Sequence, residues 1–236
     1  MDRLYEPPRR WTWPHYRFAQ WIVPKITTVR GGWRVRGVEH VPDEGGALIA
    51  ANHLSHLDPP VVGSAIPRRT YYFAAAYLFK NPIFGFIIRK CYAFPVRRGA
   101  ADRAALKAAI ELLELGELLT MFPEGTRSRT GELGEFDLGA ALAASRAGVP
   151  IVPCAISGTN LALPRDGTRI TRSRIAVSFA EPIDTLQFGE KPRKEDLQRI
   201  TDQVVAAVRE MKAEQASFFD DGGGAGQVSE AEQAKS

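Results

Sequence analysis

Short apolar runs alternate with amphipathic segments along most of the chain. Residues 47–51 (Ala-Leu-Ile-Ala-Ala) are apolar without interruption, which fits a strand covered on both faces. Positions 102–115 set Ala105, Leu106, Ala109, Ile110 and Leu113 at helical spacing, and Gly116 ends the run. Residues 118–122 then read as a strand, 136–147 as a helix stopped by Gly148, and 150–156 as a buried strand. Residues 175–179 alternate as a half-buried strand does, and 194–212 form an amphipathic closing helix. A first strand is expected around Trp33-Arg34-Val35-Arg36-Gly37-Val38, and the uncharged run 71–79 reads as a strand leading into a helix. This alternation predicts an α/β sandwich whose mixed sheet is flanked by helices.

Composition refines the outline. At 236 residues and 44% hydrophobic, the chain suits one α/β domain with short appendages. Residues 217–236 carry Asp220, Asp221, Glu230 and Glu232 against Lys235 around a glycine cluster, and are expected to be a disordered tail. At the other end, residues 1–36 hold eight Arg or Lys against Asp2 and Glu6, together with all four tryptophans. Trp33 belongs to the first strand. Trp11, Trp13 and Trp21, interleaved with cations and with Pro14 and Pro24 breaking any long buried helix, read as a membrane-interface segment over residues 1–32. Residues 33–216 then form the folded domain. No run approaches the ~18 to 20 apolar residues that span a bilayer, and no continuous apolar core follows the basic start. The expected location is therefore peripheral, on the cytoplasmic face of the cell membrane and in contact with anionic lipid. Cys91 and Cys154 lie in apolar strand-like stretches and read as buried free thiols. No Cys and His spacing suggests a metal site.

Candidate chemistry concentrates in two loops. The first is Asn52-His53-Leu54-Ser55-His56-Leu57-Asp58, directly after the buried strand. Five positions on a regular helix amount to about 500°, so His53 and Asp58 meet only through a turn. The sequence supplies one, with Asp58 expected as helix cap and Pro59 as the first helical residue. A carboxylate on one ring nitrogen leaves the other free to take a proton from a hydroxyl. Taken alone, a His near an Asp is more often a satisfied turn pair. The second loop, Phe122-Pro123-Glu124-Gly125-Thr126-Arg127-Ser128, follows another strand. Gly125 allows close backbone approach, Arg127 offers a fork of donors to a phosphate, and Thr126 and Ser128 add hydroxyls. Its bland counterpart is a surface turn.

Together these blocks resemble the glycerolipid acyltransferase family of the PlsC, or lysophosphatidate acyltransferase, type. Lys80-Asn81-Pro82-Ile83-Phe84-Gly85 and Phe94-Pro95-Val96-Arg97 resemble its second block, and Val149-Pro150-Ile151-Val152-Pro153 its fourth, all in order. One departure is Cys91-Tyr92-Ala93, where the family often has a glycine. The resemblance implies a single-domain acyltransferase sandwich that moves a fatty acyl group from acyl-CoA or acyl-carrier protein to a hydroxyl of lysophosphatidate or glycerol 3-phosphate. His53 would be the base and Asp58 its holder. Arg97 and Arg127 would bind the acceptor phosphate, and Glu124, Gly125 and Thr126 would shape the substrate loop. The thioester is a substrate, and neither cofactor nor metal is expected. A thioesterase or lipase is the alternative enzyme, although Ala155-Ile156-Ser157-Gly158-Thr159 lacks the first glycine of a nucleophile elbow. A lipid-surface binding module is the non-catalytic alternative. The blocks argue against nucleic acid as a partner for the basic, aromatic start.

Overall fold

The computed structural model describes residues 13–96, 103–189 and 192–220. Among the described residues seven strands, β1 (Thr28–Arg36), β2 (Ala47–Ala51), β3 (Thr70–Ala75), β4 (Ala93–Val96), β5 (Leu118–Met121), β6 (Ile151–Ser157) and β7 (Ser173–Phe179), form one sheet. Their order is β1-β7-β6-β2-β5-β3-β4. The β6–β7 pair is antiparallel, and the β1–β7, β2–β6, β2–β5, β3–β5 and β3–β4 pairs are parallel. The sheet is thus mixed, as the alternation of elements predicts.

The helices are α1 (Trp13–Thr27), α2 (Asp58–Ala65), α3 (Pro82–Lys90), α4 (Arg103–Glu114), α5 (Gly139–Ala147), the single turn α6 (Thr159–Ala162), and α7 (Lys194–Asp220). One sheet face, with Leu48, Ala50, Leu119 and Ile151, packs against Leu112 of α4, Ala144 of α5 and Ile200 and Val204 of α7. The other face, with Ala47, Ile49, Val152, Cys154 and Val177, packs against Val23 of α1, Val61 and Val62 of α2 and Ala162 of α6. All five β2 residues are buried, which explains its unbroken apolar run.

Several boundaries differ from expectation for local reasons. Asp58 is the first helical residue of α2 rather than its cap, and Leu57 occupies the cap position without a side-chain bond. The Asp58 carboxylate points back into the preceding loop instead. α5 begins at Gly139, three residues late, because Asp137 Oδ1 accepts the Gly139 N–H and the Asp137 N–H donates to Pro123 O. Gly148, at φ 65°, ends it in the left-handed conformation as foreseen. Residues 71–79 divide into β3 and a 3-10 turn at Ala76–Lys80, after which α3 starts separately at Pro82. Cys91 sits in the turn after α3 rather than in a strand and is only partly buried, Cys154 lies buried in β6, and desolvation raises both thiol pKa values. Tyr92, where the family often has glycine, adopts φ 64°. Its buried ring packs edge-on against Tyr16 and Tyr71, which offsets the strain of that conformation.

The amino-terminal helix ends three residues after its second proline. Pro24 lies inside α1, in its last turn, and lacks the N–H that would bond to the Gln20 carbonyl. Thr27 Oγ1 donates to Val23 O at 2.7 Å and Thr28 Oγ1 to Pro24 O at 2.5 Å. The helix is docked: Gln20 Nε2 donates to Gly63 O (3.0 Å) and Ile66 O (2.7 Å) of the α2 segment, and Tyr16 is buried. Phe18 and Trp21 face outward, and Lys25 Nζ lies 3.6 Å over the Trp21 ring. Trp11 and the Trp13 side chain lie outside the described residues. At the carboxyl end, α7 continues to Asp220, eight residues past the expected Lys212 and into the segment read as tail. Gln215 Nε2 binds Ala155 O (3.0 Å) and Ser178 Oγ (2.9 Å), and Phe218 is buried beneath Arg34 and Arg174, which anchors the extra turns. Residues 221–236 lie outside the described residues.

Candidate active site

β2, β5 and β6 are parallel, adjacent and central, so their carboxyl ends open on one edge of the sheet. In open α/β sheets that edge is where ligands bind. The β2 exit is fixed by Asn52, whose side-chain amide donates to Ile156 O at 3.0 Å and accepts the Ile156 N–H at 2.7 Å. This extends the ladder by one side chain and delivers His53 at a defined height.

His53 Nδ1 lies 2.7 Å from Asp58 Oδ2. The same oxygen accepts the N–H groups of Leu54 (2.6 Å) and Ser55 (2.8 Å), and Asp58 Oδ1 accepts the Thr159 hydroxyl at 2.5 Å. Four donors therefore fix a carboxylate with no solvent exposure. Because a carboxylate only accepts, Nδ1 carries the proton and Nε2 is left with its lone pair. The imidazole stacks on Phe122 with ring centroids 4.3 Å apart and keeps 14% of its surface accessible. His56, the neighbour that could confuse the assignment, is exposed, whereas His40 bonds to Phe179 O elsewhere.

The second loop lies directly alongside. Glu124 Oε1 accepts the His53 N–H at 2.8 Å and Oε2 accepts the Gly134 N–H at 3.1 Å, while the Ser128 N–H donates to His53 O at 2.8 Å. Glu124 is thus a strut between loops. Gly125 has φ 65° and open space where a Cβ would stand, and Thr126 is exposed beside it. Arg127 Nη1 donates to Arg165 O at 2.8 Å. Arg97 lies outside the described residues. Ser55 Oγ donates to Leu163 O and accepts the Leu57 N–H, and Ser157 Oγ donates to Gln215 Oε1, so both hydroxyls are committed structurally.

Three residues near the site escape sequence reading. Thr159 reaches Asp58 from 101 positions away because Gly158, at φ 86° and with no room for a Cβ against Arg174 O, turns the chain sharply after β6. Arg165 arrives from the β6–β7 connection. Lys212 of α7 donates to Gly131 O at 2.9 Å, where burial lowers its pKa against the opposing pull of Glu132, Glu124 and Asp58. Their signal in the sequence is slight: a glycine after a strand, and single cations in polar stretches.

Partial burial raises the Glu124 pKa above the ordinary glutamate range, outweighing the two N–H donors that lower it. A raised carboxylate pKa favours the acid in the folded chain. The associated stability is present below the unfolded value of about 4.3 and is lost as pH rises through the folded value. Glu124→Gln keeps one acceptor for His53, leaves the Gly134 N–H without its own, and has no carboxyl to titrate. Its stability deficit relative to the parent should accordingly shrink between pH 4 and pH 7, as read from urea midpoints. A deficit that is constant with pH would show that Glu124 ionisation is not the source.

An imidazole held by a buried carboxylate beside a glycine–arginine turn, with Ser55 and Ser157 both engaged structurally, is an arrangement suited to the class of enzymes that take a proton from a hydroxyl. Comparison with known proteins gives that class its family. The Acyltransferase family model matches residues 32–157. The 1-acyl-sn-glycerol-3-phosphate acyltransferase of Bacillus subtilis is 31% identical over 199 residues, covering 84% of this chain and 96% of that protein. The protein of the same name from Streptococcus pneumoniae is 28% identical over 203 residues, covering 85% and 74%. The crystal structure of the 1-acyl-sn-glycerophosphate acyltransferase PlsC from Thermotoga maritima superposes with a TM-score of 0.70 at 26% identity, covering 89% of this chain and 86% of that one. The chain belongs to the PlsC-type acyltransferase family and is an O-acyltransferase of lipid synthesis.

Proposed function

We propose that the enzyme transfers a fatty acyl group from acyl-CoA or acyl-carrier protein to the free hydroxyl of lysophosphatidate or glycerol 3-phosphate. The observation that carries this reading is the 2.7 Å contact between His53 Nδ1 and the fully buried Asp58 carboxylate. An alcohol ionises far above pH 7, so its attack on a thioester needs a base in contact with the hydroxyl as the bond forms. His53 Nε2 takes that proton while the alcohol oxygen bonds to the thioester carbon. Asp58 stabilises the resulting imidazolium. Collapse of the tetrahedral intermediate breaks the C–S bond, and the imidazolium returns the proton to the departing thiolate. No protein nucleophile or acyl-enzyme is needed, in keeping with the structural roles of Ser55 and Ser157.

The oxyanion requires N–H donors. The start of α2 supplies none, since the Asp58 N–H donates to Ser55 O, Pro59 and Pro60 have no N–H, and the Val61 N–H donates to Leu57 O. The Gly125 N–H is committed to Phe122 O. We assign the role to the backbone N–H groups of Thr126 and Arg127 in the same exposed turn. Arg127 and Arg97 balance the acceptor phosphate. Among the described residues no helix is long and apolar enough to cross a membrane. The outward Phe18 and Trp21, with Lys25 above the indole, support peripheral contact with an anionic membrane at its cytoplasmic face.

The test is purified protein with radiolabelled palmitoyl-CoA and a panel of acceptors, scored for labelled ester and for free fatty acid. Ester on a phosphorylated glycerol acceptor is the expected product; fatty acid released at the same rate without acceptor would make the protein a thioesterase. Arg127→Ala should raise the acceptor KM about tenfold with kcat nearly unchanged. An acceptor KM equal to the parent's would remove Arg127 from phosphate binding.

A further inference from the structure

We propose that Arg165, which lies beyond residues 32–157 matched by the family model, is a specificity-determining residue that selects phosphomonoester acceptors. The inference rests on the acyl-transfer reading above. The segment after β6 is pinned to the catalytic loop twice, by Thr159 Oγ1 to Asp58 Oδ1 (2.5 Å) and by Ser55 Oγ to Leu163 O (2.8 Å). Two residues past Leu163 stands Arg165. On the other side, Ser128 donates to His53 O at 2.8 Å, which places Arg127 one residue from the same loop.

The two arginines then clasp each other. Arg127 Nη1 donates to Arg165 O at 2.8 Å, and Arg165 Nη1 donates to Arg127 O. Each guanidinium uses a terminal N–H to grip the other's backbone, while a guanidinium carries five N–H donors. Both side chains are half-buried, and among the described residues no carboxylate stands within ion-pair distance of either. Arg69 shows the contrast, for Glu117 pairs with it through two donors. Two like charges held together away from full solvation repel unless an anion joins them. The clasp fixes their backbones and leaves donors unused, and the described residues supply no counter-charge.

The anion that balances two guanidinium groups carries two charges. A phosphate monoester, with a second pKa of about 6, is close to dianionic at pH 7, whereas a phosphodiester carries one charge. A monoester thus balances the Arg127–Arg165 pair, whereas a diester leaves one guanidinium of that pair unbalanced, whatever Arg97 adds to the phosphate. Discrimination between the two acceptor classes therefore falls on Arg165.

The experiment compares parent, Arg165→Gln and Arg165→Lys with lysophosphatidate and with lysophosphatidylglycerol at fixed acyl-CoA, and measures inorganic phosphate as a competitive inhibitor. Arg165→Gln should raise the lysophosphatidate KM and the phosphate Ki about tenfold while changing the phosphodiester KM less than twofold, and lysine should recover part of the loss. A residue that merely clasps the loop would lower turnover of every acceptor alike without moving the phosphate Ki. That parallel loss, or no change in KM and Ki, would overturn the proposal. Failure of the parent itself to acylate any phosphomonoester would instead overturn the reading on which it rests.

Discussion

His53→Ala lowers kcat about 10³-fold, within the range a general base supplies, while the chain stays folded. The separation of the two effects follows from how the loop is built. Asp58 retains Leu54 N–H, Ser55 N–H and the Thr159 hydroxyl when the imidazole is gone, so no buried charge is left bare. The links from residue 53 to Glu124 and Ser128 run through its backbone and survive the substitution. What the fold loses is the Nδ1 hydrogen bond to Asp58, worth about 1.5–3 kcal/mol, and the stacking on Phe122, worth roughly 0.5–1.5 kcal/mol. Steady-state turnover with palmitoyl-CoA and a urea unfolding curve check both halves. Turnover within tenfold of the parent would remove His53 as the base, and an unfolded variant would contradict the independence of Asp58.

The parts of this design that could be read from sequence are those encoded by neighbours. β2 and β6 announce themselves as unbroken apolar runs because both faces are covered, and Gly148 marks the end of α5 because the chain there turns left-handed. His53, Asp58 and the Glu124–Arg127 turn are visible as compact motifs at the ends of such runs. Errors arose where an apolar residue is buried without being in an element. Phe136 packs into the core and suggests a helix, yet Asp137 holds the chain in a loop until Gly139. Pro24 does lie inside α1, but the helix ends three residues later at Thr27, so no long helix runs through it. The closing helix extends further than its period implies because Gln215 and Phe218 find partners in β6, β7 and two arginines.

The rest of the site was illegible because topology assembles it. Thr159 and Arg165 follow β6, which is adjacent to β2 only through the sheet order, and Lys212 comes from a helix laid under the strands. No local spacing encodes these meetings. The consequence is a division of tasks. Short-range motifs supply the His53–Asp58 pair and the Glu124–Arg127 turn, and long-range contacts set how rigidly they are held.

That division makes the second large effect depend on which atom replaces the Asp58 carboxylate. Asp58→Ala strands three buried donors, Leu54 N–H, Ser55 N–H and the Thr159 hydroxyl, and frees the imidazole to rotate. At about 1–3 kcal/mol for each unsatisfied donor, the stability loss is on the order of 3 kcal/mol or more, and kcat should fall about 10³-fold. Asp58→Asn behaves differently. Its amide oxygen must take the place of Oδ2, since an NH₂ there would face two backbone N–H groups. The amide nitrogen then faces Thr159, whose hydroxyl can turn to accept. The oxygen still receives the His53 Nδ1 proton, so the tautomer is kept and only the charge that stabilises the imidazolium is lost. A charge-assisted hydrogen bond is worth about 1.5–3 kcal/mol, which corresponds to roughly a 10- to 150-fold loss of kcat, with the urea midpoint near the parent's. Equal losses of activity and stability in the two variants would mean that Asp58 acts on the fold alone, because a purely structural carboxylate has no reason to separate turnover from stability.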